Sequence, residues 1–542
     1  MADRSIAEGS LVDTLRNGLP QVLPEFLAHR RWFGGKARKI RLVEVLDLIP
    51  FHGPDFHAYF VLIHVSYDAG PPDTYDVPLI RLPGGIPTTG LDAFSVLRIR
   101  PQSLAEEIVL VDALSDAQFL SFLLDAILRS ATLRGAAGEL RAVPSTMLAK
   151  IWEPAQGSLL PSPMKAEQSN SSIVYGQRLI LKIFRRVEQG INPDLEIGLF
   201  LTEYTLFRNI ATVTGHLEYV SRQGTQTSLG ILQTYVANQG DAWEFTLRAV
   251  AQYYGRARQS GALAASEIPR ESILALAGQP IPAVVRQRIG PYLESAALLG
   301  RRTAELHIAL SSAREDPAFT PQPLSEAEQQ SQATSALDLL DTNLRLLRRL
   351  KGGMLEHIQK EAGRVLDLEN KAGQRFQRFH SQKLSIMLTR IHGDYHLGQV
   401  LFTGTDFVII DFEGEPARSL AERRRKRSPL QDVAGMLRSF HYAAYAPLLQ
   451  QATGAEVDER LKALGPWAHY WQVWTSAIFL GTYLEVAQNA PFIPRSREDL
   501  ALLLDAYILD KAVYELGYEL NNRPTWVQIP LEGISQLLLD RS

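Results

Sequence analysis

The spacing of apolar residues changes once along this chain, near Gly240, and this change limits the folds that the chain can adopt. Before Gly240, short segments alternate apolar and polar residues as half-buried strands do, for example over residues 40–49, 58–67 and 74–81. After it, apolar residues recur at helical spacing almost to the end. Because strands and helices are separated along the chain, the pattern predicts an α+β fold.

Composition narrows the functions that such a chain can have. The 542 residues carry a net charge of −3, so there is no basic surplus of the kind that holds proteins on nucleic acid or anionic lipid. Cysteine is absent, which excludes disulfides, cysteine-bound metals and a thiolate nucleophile. No apolar run reaches the length of a signal peptide or a membrane span, so we expect a cytoplasmic protein that binds neither membrane nor nucleic acid.

One group of acidic and amide residues in the second half of the chain has the spacing of a catalytic site. Gln399 follows Asp394 by five residues, and Asp411 follows it by seventeen, at the end of an apolar β-branched strand. Phosphoryl transfer needs one carboxylate that takes the proton of the acceptor hydroxyl, and further carboxylate and amide oxygens that hold Mg²⁺. Glu413 is a candidate second metal carboxylate, because residues two apart in an extended chain face the same way.

Residues upstream of this group fit a nucleotide site. A polar turn between two strands offers side-chain and backbone donors to phosphate oxygens, although it lacks a glycine-rich motif. The next strand carries Lys182 among apolar neighbours, where a lysine needs an anionic partner. We expect Glu196, at the start of the following helix, to be that partner. The turn consists of Ser169, Asn170, Ser171 and Ser172.

The apolar strand over residues 229–236 ends at a polar segment that reads as a hinge between two lobes. Backbone groups at such a hinge can contact adenine, and the residues that we expect there are Gln233, Tyr235 and Val236. Asp241, with Glu244 three residues later, predicts the start of the first helix beyond the hinge.

Taken in order, these features resemble the aminoglycoside phosphotransferase-like branch of the protein kinase fold and, within it, the maltokinase family. The likeness extends over nearly the whole chain and is strongest at residues 392–399 and 411–418. Tyr395 departs from the family pattern, in which leucine is more usual, and adds bulk beside Asp394 without removing a catalytic group. Further matching blocks are residues 31–38, 169–172, 238–244, 299–307 and 427–439.

The resemblance implies an α+β, bilobal protein-kinase-like fold (aminoglycoside phosphotransferase-like) with an N-terminal β-rich cap. We therefore expect a cap at residues 1–135 and a β-rich nucleotide-binding N-lobe at residues 136–238. Residues 239–542 would form a helical C-lobe that carries the catalytic and acceptor sites.

The resemblance also implies an activity, namely transfer of the γ-phosphoryl group of ATP to the anomeric hydroxyl of maltose. The products would be maltose 1-phosphate and ADP, within trehalose-to-α-glucan (glycogen) metabolism. Asp394 would be the catalytic base, Gln399 and Asp411 would bind Mg²⁺, and Lys182 would hold nucleotide phosphates under a loop at residues 169–172. Because the family also occurs fused behind a trehalose synthase, a separate trehalose synthase is the candidate partner.

Candidates for contact with the sugar are less specific, and each has a structural alternative. His396 and Arg418 lie close to the catalytic residues in sequence, but a loop histidine can serve packing and an arginine run is usually solvated. Tyr470 and Trp471 belong to an aromatic stripe at helical spacing, which forms core more often than a sugar platform.

Two other functions stay open. The same fold could phosphorylate another sugar or amino sugar, such as glucosamine, and a panel of acceptors would distinguish this. The chain could also be an inactive scaffold for a trehalose-converting enzyme. That alternative predicts loss of catalytic groups, whereas Lys182, Asp394, Gln399 and Asp411 are all present.

Overall fold

The structure is a computed structural model that describes residues 2–83, 95–100, 107–151, 159–164, 169–449 and 455–539. Its element order confirms the change from strands to helices that the sequence predicts. The strands are β1 (Ile40–His52), β2 (His57–Tyr67), β3 (Asp73–Arg81), β4 (Val96–Ile99), β5 (Ile108–Asp112), β6 (Thr132–Arg134), β7 (Gly138–Pro144), β8 (Pro161–Pro163), β9 (Asn170–Tyr175), β10 (Leu179–Phe184), β11 (Arg186–Val187), β12 (Val213–Ser221), β13 (Gln226–Thr234), β14 (Gln322–Pro323), β15 (Met387–Leu388), β16 (Val400–Phe402) and β17 (Phe407–Ile409).

Helices are few before Gly240 and dominate after it. The helices are α1 (Ala2–Ala28), α2 (Ala117–Leu128), α3 (Leu148–Ile151), α4 (Pro193–Tyr204), α5 (Ala242–Ser260), α6 (Ile273–Leu276), α7 (Ala283–Ile289), α8 (Tyr292–Leu310), α9 (Glu326–Leu350), α10 (Glu356–Asp367), α11 (Glu369–Ser381), α12 (Leu420–Arg423), α13 (Leu430–Leu449), α14 (Ala455–Ala487), α15 (Arg497–Asn522) and α16 (Gln528–Leu539). Among the residues described above, no helix has the length and apolar character needed to cross a bilayer.

The first sheet is an antiparallel meander in the order β1-β2-β3-β5-β4, and β11 joins it by pairing with β3. Valines and isoleucines stand opposite each other across the strands, such as Val61 against Val77. Side chains of α1, among them Leu19 and Phe26, pack against this face of the sheet. One face of the meander is therefore closed by a helix, and residues of the opposite face, such as Phe60, pack into a second core.

The second sheet has seven strands in the order β6-β7-β12-β13-β10-β9-β8. β10 lies between β9 and β13, so Lys182 stands opposite Ser172 on one side and Ile231 on the other. Helix α2 packs on β7 and shares a core with both sheets. That common core contains Phe51 and Phe119 from the first part of the chain and Ile173 and Leu181 from the second sheet.

The chain divides into two compact units. The N-terminal unit comprises Met1–Tyr204 and Ala211–Ala237, and it holds both large sheets. The C-terminal unit comprises Thr205–Ile210 and Asn238–Ser542, and it holds α5 to α16. Within it, α8 and α14 approach closely at Gly300, where an added Cβ would lie 2.3 Å from the carbonyl oxygen of Phe479.

Candidate active site

The loop that carries Asp394 is held in place by hydrogen bonds to a buried carboxylate. Asp432, near the start of α13, accepts hydrogen bonds from the backbone N–H groups of His392 (2.7 Å) and Gly393 (2.9 Å). His307 of α8 lies 3.1 Å from the same carboxylate through its Nε2. Two adjacent N–H groups bound by one carboxylate define the position of the next residue, which is Asp394.

Asp432 is ionised although it is 2 % exposed. Burial alone would raise the pKa of its carboxyl group, but the interactions with His307, His392 and Gly393 outweigh burial and hold this pKa below its usual value. His307 is itself oriented by Tyr483, whose hydroxyl lies 2.9 Å from its Nδ1. The catalytic loop therefore rests on a charged network that spans three helices.

His392 links the catalytic loop to the following hairpin. Its Nε2 lies 2.9 Å from the carbonyl oxygen of Ile410. Because a carbonyl oxygen only accepts, this nitrogen is protonated and donates the hydrogen bond. Its Nδ1 accepts the backbone N–H of Asp394 at 3.4 Å. His396, on the far side of Asp394, accepts the N–H of Gly398 at 3.1 Å and so begins a short turn. Both histidines order the loop around Asp394.

The hairpin β16–β17 brings the predicted metal residues onto one segment. The N–H of Ile410 donates to the carbonyl oxygen of Gln399 at 3.0 Å, which places Gln399 beside the end of β17. Asp411 has φ of 66°, a left-handed conformation that is unfavourable for a residue other than glycine. Carboxylate oxygens of Asp411 and Glu413 come within 4.8 Å of each other.

These residues fit Mg²⁺, which prefers carboxylate and amide oxygens. The backbone conformation of Asp411 supports the same conclusion, because strained residues concentrate where function requires them. The guanidinium of Arg423 donates to the carbonyl oxygen of Glu413 at 3.0 Å and fixes the segment that follows. Metal binding by Gln399, Asp411 and Glu413 stays a prediction.

A cavity of about 250 Å³ opens beside Asp394 within the C-terminal unit. It is lined by Glu415 and Arg418 after the hairpin and by Asp510 and Lys511 from α15. The Nζ of Lys511 lies 3.6 Å from Oδ1 of Asp394. The predicted base therefore faces an open polar space in which a small polyol can lie.

The charges in this cavity are largely paired. Arg418 Nε lies 2.5 Å from Oε2 of Glu415. Burial would raise the pKa of Glu415, but Arg418 outweighs it and holds this pKa below its usual value. Burial raises the pKa of Asp510 to about 6, against the opposing charges of Arg418 and Lys511.

Of the four candidate sugar contacts, the structure brings Arg418 to the cavity and places the two aromatic residues elsewhere. Tyr470 is 2 % exposed and lies near the guanidinium of Arg288. Trp471 is 1 % exposed, and its ring centroid lies 5.1 Å from that of Tyr292. The expected sugar contact of Tyr470 and Trp471 is corrected to a core role, because both side chains face helix packing inside the C-terminal unit.

Lys182 is held at the surface of the second sheet by an acid that the sequence analysis did not name. Its Nζ lies 3.2 Å from Oδ2 of Asp194, which is 1 % exposed at the start of α4. Asn192 begins this helix by accepting the N–H of Asp194 at 2.9 Å. The expected partner, Glu196, lies two residues further along α4, and its pairing with Lys182 stays a prediction.

The expected polar turn at residues 169–172 is wrong for three of its four residues. Asn170, Ser171 and Ser172 form the first part of β9 and pair with β10, because their backbone groups continue the sheet ladder. Only Ser169 precedes the strand. Contact of the four residues with nucleotide phosphates stays a prediction.

Arg185 connects this strand to the first sheet. Its Nε donates to Oγ of Ser171 at 2.9 Å, and its Nη2 donates to Oδ2 of Asp112 at 2.7 Å. The guanidinium carbon lies 4.7 Å from the ring centroid of Trp32. Trp32 belongs to one of the blocks that resemble the maltokinase family, so the structure gives this block a physical role.

The expected hinge residues lie at the end of the N-terminal unit. Gln233 is in β13 and pairs with Ile180 and Val213. Tyr235 follows the strand and donates its N–H to the carbonyl oxygen of Arg178 at 2.8 Å. Contact of Gln233, Tyr235 and Val236 with adenine stays a prediction.

Three charged residues that contact the predicted site residues or line the cavity were not predicted from the sequence, namely Asp194, Asp510 and Lys511. A signal for the last two exists, since they form a charged pair inside an otherwise apolar helical run at residues 507–513. Charges in such a run are costly unless they face a polar cavity or each other. Asp194 had no comparable signal, because acids are common in the first turn of a helix.

Known protein families and curated proteins include several that are similar to this chain. The family described as the maltokinase N-terminal cap domain matches residues 26–116. A curated glucosamine kinase of Mycolicibacterium smegmatis is 25% identical over 402 residues, which cover 72% of this chain and 82% of that protein. A glucosamine kinase of Streptacidiphilus jiangxiensis is 25% identical over 255 residues, covering 45% of this chain and 50% of that protein.

Solved structures show the same architecture. A glucosamine kinase in complex with glucosamine, ADP and inorganic phosphate superposes with a TM-score of 0.61 at 17% identity, covering 95% of this chain and 99% of that chain. A further crystal form of glucosamine kinase gives a TM-score of 0.60. The molecule is therefore α+β, with the bilobal kinase fold and an N-terminal β-rich cap. The cap match and the curated relatives together support a maltokinase-like kinase, that is, a sugar kinase.

Proposed function

We propose that this chain transfers the γ-phosphoryl group of ATP to the anomeric hydroxyl of maltose, giving maltose 1-phosphate and ADP. The observation that carries the proposal is Asp394, fixed by the Asp432 network at the edge of a polar cavity of about 250 Å³. A carboxylate in this position accepts the proton of a hydroxyl bound in the cavity, as phosphoryl transfer requires.

Each group of the chain has a defined task in this reaction. Asp394 accepts a hydrogen bond from the acceptor hydroxyl and takes its proton as the oxygen attacks the γ-phosphorus. Lys511, 3.6 Å from Asp394, keeps the carboxylate oriented toward the cavity. Gln399, Asp411 and Glu413 would hold Mg²⁺, which offsets the charge of the nucleotide phosphates when it is bound. Lys182 would contact the same phosphates.

A neutral acceptor is supported by the charges in the cavity. Glu415 is paired with Arg418, and Asp394 lies beside Lys511. An ammonium group on the acceptor would meet these cations, whereas the hydroxyl groups of maltose can donate to the acids and accept from the cations. The cap family and the resemblance at residues 411–418 favour the same sugar. A separate trehalose synthase that supplies maltose stays a proposal.

Glucosamine is the second candidate, and the curated relatives are the observation that favours it. Five acids line the cavity, namely Asp394, Glu415, Glu422, Asp432 and Asp510. If one of them is left ionised without its cation when the acceptor binds, an amino group is preferred. A panel of maltose, glucose, glucosamine and trehalose at equal ATP and Mg²⁺, followed by ADP release, decides between the two sugars.

The catalytic assignment has its own test. Replacing Asp394→Asn keeps the shape of the side chain and removes its basicity, so kcat for the preferred sugar falls about a thousandfold. Asp341→Asn, an exposed acid of α9 paired with Arg345, is the matched control and keeps full activity. Turnover of the Asp394→Asn variant near that of the control would contradict the proposal.

A further inference from the structure

A second groove lies next to the acceptor cavity and has the opposite electrostatic character. It measures about 660 Å³, and four cations line it, namely Arg390, Arg424, Arg425 and Lys426. Among the described residues that line it, Glu328 is the only acid. The chain as a whole has a net charge of −3, so this concentration of positive charge is a local feature of the groove.

The cations are held in place by the surrounding structure. The guanidinium carbon of Arg390, a residue that is 1 % exposed, lies 5.3 Å from the ring centroid of Phe319. The Nζ of Lys426 donates to the carbonyl oxygen of Pro317 at 2.7 Å. Burial and the charge of Arg390 lower the pKa of Lys426, against the opposing charge of Asp316. The two cations repel each other, and an anion bound beside them offsets this repulsion.

The lining of the groove also includes uncharged polar groups. Gln322, Ser325 and Ser331 offer amide and hydroxyl groups in addition to the cations. Such groups exchange hydrogen bonds with sugar hydroxyls, whereas the arginine and lysine side chains suit a phosphate dianion. We propose that this groove is a binding site for a sugar phosphate, with the phosphate on Arg424 and Lys426 and the sugar along Gln322 and Ser325.

The groove adjoins the acceptor cavity, since Ser331 and Arg425 line both. A sugar phosphate in the groove therefore contacts residues at the edge of the cavity and changes the affinity of the acceptor. The site itself does not depend on the proposed acceptor, because its ligand is recognised by residues outside the cavity.

Calorimetry without ATP or Mg²⁺ tests the site directly, with glucose 1-phosphate, inorganic phosphate and glucose as separate titrants. We expect glucose 1-phosphate to bind most tightly, because only this probe uses both the cations and the uncharged polar groups of the groove. Its affinity falls with added salt, as expected for charge recognition. Equal affinity for inorganic phosphate and glucose 1-phosphate would overturn the assignment of a sugar phosphate.

Two substitutions with opposite effects locate the site. Lys426→Gln removes one cation and weakens binding of glucose 1-phosphate about tenfold. Glu328→Gln removes the acid and strengthens binding about threefold, a gain that a misfolded protein does not show. Arg345→Gln is the charge-matched control, because Arg345 lies fourteen residues beyond Ser331 on α9, about 21 Å along the helix.

Unchanged binding in both Lys426→Gln and Glu328→Gln would place the ligand elsewhere and overturn the proposal. The Asp394→Asn variant separates this result from the proposed function. It loses turnover if the catalytic assignment is right, and it keeps wild-type affinity for glucose 1-phosphate if the groove is the binding site.

Discussion

At the scale of single residues, Asp432 positions the predicted catalytic base Asp394 without contacting the substrate in the proposed reaction. Its two oxygens bind two consecutive N–H groups directly before Asp394. This acid lies in the first turn of α13. Its charge follows from His307, which is distant in sequence and therefore invisible to any local pattern.

Asp432→Asn is predicted to reduce kcat and leave KM for the sugar nearly unchanged. The amide presents a donor to one of the two N–H groups, so the loop shifts and kcat falls about a hundredfold. The free energy of unfolding falls by about 3 kcal/mol, because a buried charged hydrogen-bond network is broken. Steady-state kinetics together with urea unfolding measure both effects, and loss of stability with unchanged kcat would reduce Asp432 to a structural residue.

We predict that the buried carboxyl group of Asp510 makes the free energy of unfolding depend on pH. Burial raises its pKa to about 6 in the folded protein, above the usual value of 3.8 for an aspartate, so folding takes up a proton at pH values between these two. Stability contributed by the protonated carboxyl is therefore complete below about pH 4 and is lost as pH rises toward about pH 6.

Asp510→Asn removes this dependence. We expect the variant to be more stable than the wild type by about 3 kcal/mol at pH 8 and about equally stable at pH 4. Urea unfolding at the two pH values measures the difference. A constant difference between the two proteins across this range would contradict the shifted pKa.

At the scale of secondary structure, α13 supports the catalytic loop through a close backbone contact. A Cβ added at Gly435 would lie 2.6 Å from the carbonyl oxygen of Tyr395, next to Asp394. Glycine in a helix is normally unfavourable, so its presence in α13 is explained by this approach. The loop and the helix fit only while that position has no side chain.

Gly435→Ala is therefore predicted to destabilise the protein despite the better helix propensity of alanine. Overpacking against a backbone carbonyl lowers the free energy of unfolding by about 2 kcal/mol, and kcat falls with it because Asp394 moves. Gly373→Ala in α11 is the control, since nothing lies within 4 Å of its added Cβ. This control gains about 0.5–1 kcal/mol. Equal effects of the two substitutions would refute the contact.

The elements that could be predicted from the sequence are those determined by neighbouring residues. Strands β1 to β3 follow from alternation and the turn residues between them, and the hairpin near Asp411 follows from an apolar run that ends in an acid. On α15 the charged pair Asp510 and Lys511 stands out in the sequence, but its position was not predictable, because Lys511 reaches Asp394 only through the packing of α15 on α13. The same holds for Trp471, since periodicity marks an aromatic stripe without stating what covers it.

At the scale of the whole molecule, the cap and the second sheet fold as one unit. Their common core contains Phe51 and Phe119 together with Ile173 and Leu181, and β11 extends the first sheet beside β3. The domain boundary that we expected near residue 135 from the sequence lies inside this one compact unit. The polar part of this connection is Arg185, which is 2 % exposed.

Arg185→Lys tests whether the cap positions the nucleotide strand. Lysine keeps the charge but cannot contact Ser171, Asp112 and the Trp32 ring together, since it lacks the planar fork of arginine. If Ser171 contacts nucleotide phosphates, losing one hydrogen bond raises KM for ATP about fivefold and leaves KM for the sugar unchanged. Arg186→Lys is the matched control, because Arg186 pairs with Asp73 at 2.9 Å on the cap and its side chain is 50% exposed. An unchanged KM for ATP in Arg185→Lys, with the variant folded by thermal unfolding, would show that the cap stabilises the unit without positioning the nucleotide strand.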